Sequence, residues 1–236
     1  ITFIRRVIDN MVVQVPLRLH CICAQLAFAL KERGDECKIA YGRSASVPKD
    51  CSEFAMRIGT KKDVAEHIAE TRFFDNHGFA SKNATEKWLR EVQSFNPDVI
   101  HLHNIHGYYV NIEMLFSYIK SQKKPVVWTL HDCWSFTGHC AHYDNVGCTK
   151  WHDGCFDCPQ KRQYPASFFK DASKENYKKK KDLFLSAPDL TLVTPSHWLS
   201  EQVKQSFLKE RTVKVIPNGI DLDVFHPCKS DLRLKY

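Results

Sequence analysis

Short apolar runs alternate with amphipathic segments along most of this chain. The apolar runs predict strands at residues 12–15, 37–41, 99–103, 126–130, 190–193 and 213–216. Apolar residues at helical spacing predict helices within 19–33, 64–73, 88–95, 111–119, 171–186 and 196–207. Strands that alternate with one-faced helices are typical of a parallel sheet covered on both sides. We therefore expect an α/β fold with a doubly wound parallel sheet.

Residues that start and stop helices support these boundaries. Asn111 and Ser196 are suited to cap helix N-termini, and Gly34 follows the first predicted helix. The turn sequence Pro217-Asn218-Gly219 closes the last strand. Residues 43–62 are polar and are predicted to form a loop. No period is evident in residues 131–168, which we call the insert.

Polar side chains cluster where two of the predicted strands end. One strand end reads HLHNIHG over residues 101–107, and the next reads TLHD over residues 129–132. Ligands of such sheets bind beyond the carboxyl ends of the strands, so both clusters are expected to line one crevice. An imidazole there can hydrogen-bond a hydroxyl group without carrying a fixed charge. The competing interpretation is that these histidines only satisfy structural hydrogen bonds.

Composition and charge narrow the range of partners. The 236 residues are 43% hydrophobic and 26% charged, as in a globular protein with its own core. No stretch approaches the roughly 18 to 20 apolar residues needed to span a bilayer. The net charge of +7 is spread along the chain except for Lys178–Lys181, which argues against nucleic acid as the partner. That basic run is interpreted either as a solvated helix face or as a contact for anionic headgroups at a membrane surface.

Half of the ten cysteines lie between Cys133 and Cys158. Four of them have the spacing C-x7-C-x6-C-x2-C, namely Cys140, Cys148, Cys155 and Cys158. Crowded thiols with a terminal C-x2-C predict a structural zinc site that would hold the insert in place. The alternatives are free thiols, an iron–sulfur cluster, or a nearby histidine in place of one cysteine. The aromatic Trp134 and Trp151 of the insert either stack on a ligand or pack in the core.

Several motifs in this order resemble glycosyltransferase family 4. They are the run from Asn96 to His106, the stretch Thr129–Asp132, the segment from Val215 to Asp221, HDCWSFTGHC from His131, and the later CxxCPQ. The last two motifs are similar to those of bacterial transferases that build capsule, exopolysaccharide and colanic-acid-type chains. The resemblance covers roughly residues 19 to 236.

The resemblance implies a GT-B fold, in which two Rossmann-like domains face a cleft. Residues 1–216 would form the N-terminal, acceptor-side domain, and 217–236 would begin the connection to a donor domain that this chain lacks. Such enzymes transfer a sugar from a nucleotide-diphosphate donor with retention of configuration and without a catalytic metal. The acceptor would be a glycan or a lipid-linked sugar, and the expected location is the cytoplasm, at the inner face of the membrane.

The resemblance also assigns roles to residues. His131 would lie beside the donor sugar as the catalytic residue, and His103, Asn104, Asp132 and Trp134 would line the substrate cleft. A departure from the family is the segment Gln14–Arg18, which has no glycine where members have a glycine-rich, phosphate-binding loop. Without a donor domain we expect the chain to be inactive alone. The alternative function is a non-enzymatic, zinc-stabilised Rossmann-like binding module.

Overall fold

The computed structural model describes residues 1–5, 22–43 and 49–219, with the single positions 222, 226 and 227. Within these residues the strands are β1 (Thr2–Arg5), β2 (Glu36–Tyr41), β3 (Ala55–Arg57), β4 (Val99–Leu102), β5 (Val126–Thr129), β6 (Leu190–Thr194) and β7 (Thr212–Val215). The helices are α1 (Ile22–Glu32), α2 (Lys61–Phe74), α3 (Lys82–Phe95), α4 (Ile112–Gln122), α5 (Ser173–Ser186) and α6 (His197–Lys204). None of the helices in this described part is long and apolar enough to cross a membrane.

The described strands form one sheet in the order β3-β2-β1-β4-β5-β6-β7. Strands β4 to β7 are parallel to one another, and so are β2 and β3, which confirms the doubly wound α/β fold. Strand β1 is antiparallel to both of its neighbours, so the prediction of a wholly parallel sheet was wrong at this strand. The strand predicted at 12–15 and the segment Gln14–Arg18 lie outside the described residues.

One strand lies in the segment that was predicted to be a loop. β3 has three residues and only one apolar aliphatic side chain, Met56, beyond Ala55, so it carries no period that could reveal it. The following helix α2 begins with a capping box in which the Thr60 and Asp63 side chains each bond the other's backbone. Within residues 43–62 the sequence therefore carries a signal for the start of α2, but none for the strand β3.

The predicted helix caps and the core stripe of α4 are confirmed. The Asn111 side chain accepts a hydrogen bond from Met114 N, and the Ser196 side chain accepts one from Leu199 N. On α4 the stripe predicted from helical spacing is buried to 1% exposure or less, namely Ile112, Leu115, Phe116 and Ile119. Burial of each such side chain stabilises the fold by about 1.5–3 kcal/mol.

Aromatic packing joins strand β5 to α4 and α5, whose Phe116 and Phe184 rings also contact each other with centres 4.7 Å apart. The Trp128 ring lies 5.9 Å from the ring of Phe116 and 4.8 Å from that of Phe184. Trp128 and Phe184 are almost completely buried. These contacts hold β5 in place in the sheet, and they thereby help to position the residues that follow Thr129.

The insert has no long helix, and it is held both by apolar side chains buried in the main core and by polar contacts from other elements. Its regular structure is limited to the 3-10 turns Trp134–Phe136, Tyr143–Val146 and Lys150–His152. Lys180 of α5 is 1% exposed and donates hydrogen bonds to the carbonyl oxygens of Trp134, at 2.8 Å, and Thr137, at 3.1 Å. Its Nζ also lies 3.4 Å from the centre of the Trp134 ring. Lys180 belongs to the basic run predicted to be solvated or membrane-bound, and both interpretations were wrong for it because α5 turns this lysine inward.

Candidate functional site

The histidines that follow β4 and β5 meet at one edge of the sheet. Because the two strands are parallel neighbours with Leu102 opposite Trp128, the residues after each strand lie side by side. His103 Nδ1 lies 3.3 Å from His131 Nε2, and the two ring centres are 5.6 Å apart with nearly parallel planes. The prediction that the two polar clusters share one crevice is thus consistent with the structure.

A third histidine extends this pair into a row. His101 stacks on His103 with ring centres 4.3 Å apart, and its Nε2 is 2.8 Å from the Thr129 hydroxyl. The backbone of His103 is fixed by Trp128, whose indole Nε1 donates a 3.0 Å hydrogen bond to the His103 carbonyl oxygen. We call His101, His103 and His131 the histidine row.

Two rings of the histidine row, those of His101 and His103, are uncharged at neutral pH. Burial, and then the charge of His101, lower the pKa of His103 to about 2. Burial likewise lowers the pKa of His101 to about 4. In the described part of the chain, His103 Nε2 is buried without a hydrogen-bond partner. Neutral imidazoles with such a nitrogen can bind hydroxyl groups as donors or acceptors.

A second pair, His106 and Asp132, lies beside the row. His106 Nε2 is 2.9 Å from Asp132 Oδ2, and Asp132 Oδ1 accepts a 2.9 Å hydrogen bond from Trp134 N. Burial by itself raises the pKa of Asp132, but the hydrogen bond and the charge of His106 outweigh it, so the pKa is lowered. Asp132 is therefore a carboxylate held at both oxygens.

His106 was not among the site residues chosen from the sequence, although it is the third histidine of HLHNIHG. Its other ring nitrogen, Nδ1, is 3.4 Å from the Tyr164 hydroxyl, which itself donates a 3.0 Å hydrogen bond to the His106 carbonyl oxygen. No pattern in the sequence marked Tyr164, which comes from the far end of the insert. The contact depends on how the insert folds back over β4.

The remaining predicted substrate residues differ in exposure. Asn104 is exposed at the edge of the crevice, and its carbonyl oxygen accepts a 2.7 Å hydrogen bond from the Tyr109 hydroxyl. Trp134 is only 1% exposed and Trp151 only 2%. A buried ring offers no face to a sugar, so the stacking role predicted for Trp134 is not supported, and its ring packs beside His106 instead.

The hollow lined by these residues is shallow. It has a volume of about 10 Å³, enough for roughly one water molecule. It contains His103, Asn104, His106, His131 and Asp132 together with the Trp128–Ser135 backbone. These polar side chains form the floor of the hollow. The floor can bind a hydroxyl group, and most of a bound sugar would lie outside the hollow, above this floor.

Behind the hollow lies a histidine that the sequence reasoning missed. His77 is 2% exposed, and neither of its ring nitrogens has a hydrogen-bond partner among the described residues. Its ring packs 5.8 Å from that of His106 and 5.5 Å from that of Trp134. Burial, and then the charges of His106 and His67, hold its pKa well below the usual range, so it acts as a neutral packing ring.

The four cysteines of the predicted zinc site line a single small cavity in the insert. This cavity of about 10 Å³ also contains His139, and Gly138 N donates a 3.1 Å hydrogen bond to Cys155 Sγ. All four thiols are free. Among the described residues, however, no group of three or more histidine, cysteine or acidic side chains has the arrangement of a metal site. The fold brings the predicted ligands together, but the zinc prediction lacks support from their geometry.

The described fold is a doubly wound α/β domain with a polar site at its strand ends, and comparison with known families identifies its family. Glycosyltransferase Family 4 matches residues 22–224, so the chain belongs to that family. This confirms the resemblance drawn from the motifs.

The chain is similar to the putative colanic acid biosynthesis glycosyl transferase WcaC of Escherichia coli strain K12, with 32% identity over 163 residues. That alignment covers 66% of this chain and 39% of the relative, so the chain spans about two fifths of the relative's length. No solved structure matches the chain.

Proposed function

We propose that this chain is the acceptor-side domain of a glycosyltransferase that moves a sugar from a nucleotide-diphosphate donor to a glycan or lipid-linked acceptor. Family membership and the similarity to a colanic acid transferase support a role in surface polysaccharide synthesis. The observation that carries the proposal for the site is the 3.3 Å contact between His103 and His131 at the carboxyl ends of parallel strands. We place the protein in the cytoplasm, with transfer at the inner face of the membrane.

Each residue of the hollow has a task in this proposal. His131 contacts the donor sugar, and the neutral His103 lines the floor of the hollow with its Nδ1 3.3 Å from His131 Nε2. Asp132 holds His106 by the 2.9 Å contact, so that the His106 ring keeps one orientation beside the acceptor. The exposed Asn104 binds the acceptor at the rim. Transfer with retention requires a donor domain to close over this floor, since rate depends on both substrates being oriented together.

The test joins the chain to a donor domain. The chain is fused to the C-terminal half of the colanic acid relative and supplied with labelled nucleotide sugars and an acceptor extract. We expect transfer from the fusion and none from the chain alone. His131→Ala in the fusion should lower the transfer rate by about a hundredfold or more, because a contact made in the transition state is lost. Ser121→Ala, an exposed change at the end of α4, is the matched control and should leave the rate unchanged.

Two outcomes would contradict the proposal. One is a folded fusion, verified by circular dichroism, that transfers no sugar from any nucleotide donor. The other is a His131→Ala fusion as fast as the parent. A folded, inactive fusion would favour the alternative function, a non-enzymatic binding module.

A structural zinc ion in the insert is the second part of the proposal. It is supported by the convergence of Cys140, Cys148, Cys155 and Cys158 on one cavity and by a donor set of four thiols, which suits a closed tetrahedral site. The absence of a metal-ready arrangement among the described side chains opposes it. Metal analysis of the purified chain should find one zinc per chain, and Cys148→Ser should lower this content. Cys51→Ser, a buried thiol outside the insert, is the control. A chain without metal, in which all five thiols of the insert can be titrated, would overturn this part.

A further inference from the structure

Four phenylalanines form an exposed patch where α2 meets the end of the insert. Phe73 and Phe74 end α2, and Phe168 and Phe169 end the insert, with exposed fractions of 51%, 58%, 51% and 69%. The rings of Phe73 and Phe169 stack with centres 5.0 Å apart and planes 2° from parallel. We call these residues the phenylalanine patch. Contiguous exposed apolar surface of this kind marks an interaction site.

The patch is built by the fold and does not result from loose chain ends. Phe168 N donates a 2.8 Å hydrogen bond to the Arg72 carbonyl oxygen, and Lys170 N donates a 3.3 Å bond to that of Phe73. Arg72 in turn donates through Nη1 to the Ala166 carbonyl oxygen at 3.1 Å. The insert is thereby laid along the last turn of α2, and the four rings are left pointing away from the core.

Cationic side chains surround the rings. The Arg72 guanidinium lies over the Phe168 ring at 5.2 Å, and Lys161 Nζ reaches the Phe169 carbonyl oxygen at 3.3 Å. Lys170 is exposed next to Phe169 in the chain. The carboxylates that flank the rings in sequence are engaged by other groups: Asp75 by His139 and Ala172 N, Asp171 by the backbone amides of Cys158 and Ser173, and the exposed Glu70 by the Asn76 amide. The charges around the patch therefore favour an anionic partner.

The patch and the hollow are linked along the chain. Tyr164, four residues before Phe168, is 43% exposed, and its hydroxyl donates to the His106 carbonyl oxygen at 3.0 Å.

We propose that the phenylalanine patch and its cations form a docking surface for an anionic lipid bilayer. Aromatic rings insert at the level of the headgroups while lysine and arginine bind the phosphates. A sugar-binding surface would instead combine aromatic rings with polar neighbours. No feature among the described residues of the patch selects a protein partner. Of the basic run of α5, Lys180 is buried while Lys178, Lys179 and Lys181 are exposed, so the run is tested beside the patch as a second candidate contact. This docking surface rests on the proposed function only for the idea that the acceptor carries a lipid.

The test is sedimentation of the 236-residue chain with lipid vesicles, in the absence of any nucleotide sugar. We expect binding to vesicles of phosphatidylcholine with phosphatidylglycerol, and weak binding to phosphatidylcholine alone. The double change Phe73→Ser with Phe169→Ser should weaken binding by about tenfold or more. Phe156→Ser, which removes an equally exposed ring elsewhere in the insert, is the matched control and should bind as the parent does.

Charge reversal provides a second pair of variants. Lys161→Glu with Lys170→Glu should weaken binding to anionic vesicles by about tenfold or more, since each cation near the surface contributes severalfold. Lys178→Glu with Lys181→Glu, on exposed positions of α5, should change binding far less. The folded state of every variant is checked by its thermal unfolding midpoint.

Several results would overturn the proposal. A parent chain that binds neither type of vesicle would do so, as would equal binding by the double phenylalanine variant. So would vesicle binding lost only in the Lys178 and Lys181 variant. A concentration-dependent dimer in analytical ultracentrifugation, abolished by the phenylalanine changes, would assign the patch to a second copy of the chain. Loss of lipid binding with intact sugar transfer in the fusion would leave the proposed function standing.

Discussion

The hollow at the ends of β4 and β5 is positioned by the pairing of two neighbouring strands, whereas the insert beside it depends on side-chain contacts, both apolar contacts in the core and a few buried polar ones. In the hollow, the pairing of Leu102 with Trp128 places His103 and His131 next to each other. In the insert, Asp75 and Lys180 act from outside elements on a segment with no long helix or strand. A site built on register tolerates the loss of one contact, while a site built on single anchors does not.

The largest effect is expected for the anchor at Asp75. Its Oδ1 lies 2.6 Å from His139 Nδ1 with both side chains at 1% exposure or less, and its Oδ2 accepts from Ala172 N at 2.8 Å. Burial alone lowers the pKa of His139, but the hydrogen bond and the charge of Asp75 outweigh it and raise it. Asp75→Ala leaves a buried imidazole without its partner, which costs about 3–5 kcal/mol.

Urea unfolding of the Asp75→Ala chain measures this loss. Asp182→Ala, an exposed carboxylate on α5, is the control and should change stability by less than about 0.5 kcal/mol. An Asp75→Ala chain as stable as the control would show that the insert is not held by this anchor, and the contrast with the hollow would fail.

The next effect concerns pH and the histidine row. His103 has a pKa of about 2 in the fold, below the value near 6.5 of an unfolded histidine. The unfolded chain therefore binds more protons between these values, and stability falls as the pH decreases below about 6.5. At pH 5 His103 therefore lowers the free energy of unfolding by about 2 kcal/mol relative to neutral pH.

Unfolding of the parent and of His103→Asn at pH 7 and pH 5 measures this term. The variant should lose about 2 kcal/mol less than the parent on acidification. The pKa of His101, which stacks on His103, is also lowered, to about 4, so part of the acid sensitivity remains in the variant. Identical acid sensitivity in both proteins would mean that His103 is not buried as described.

The smallest effect is expected within the sheet. The Thr129 hydroxyl is 2.8 Å from His101 Nε2, and Thr129→Val keeps the shape of the side chain while removing this hydrogen bond. The expected loss is about 1 kcal/mol, with β5 still in register. Thr191→Val, at a half-buried position of the neighbouring strand β6, is the matched control. A loss above about 3 kcal/mol would show that the hollow, like the insert, depends on single contacts.

Much of the fold was accessible from sequence because its elements carry local signals. Strands β4 and β5 are continuous apolar runs, and α4 combines the Asn111 cap with an apolar stripe that is buried as predicted. The strand β3 was missed because three residues at a sheet edge carry no period. The strand β1 was also missed, since the first strand was predicted at 12–15, and its antiparallel direction depends on the connections and pairing.

The candidate site was accessible only in part. The convergence of His103 and His131 follows from parallel strands that end side by side, so it could be predicted. The pairing of His106 with Asp132 could not, because it needs the path of the loop after β4 and the position of Tyr164. Of the two interpretations left open for Trp134, its burial favours packing, and this could not be foreseen because exposure depends on what α5 places against the ring.

By itself, the sequence determined the family, the α/β class, most helix and strand positions and the two strand ends that carry polar side chains. These properties depend on periodicity and capping within short stretches of chain. Only the tertiary structure decided which side chains face each other: the burial of Lys180, the anchor at Asp75 and the phenylalanine patch. Residues about a hundred positions apart form such contacts, and their energies depend on burial, which no local pattern encodes.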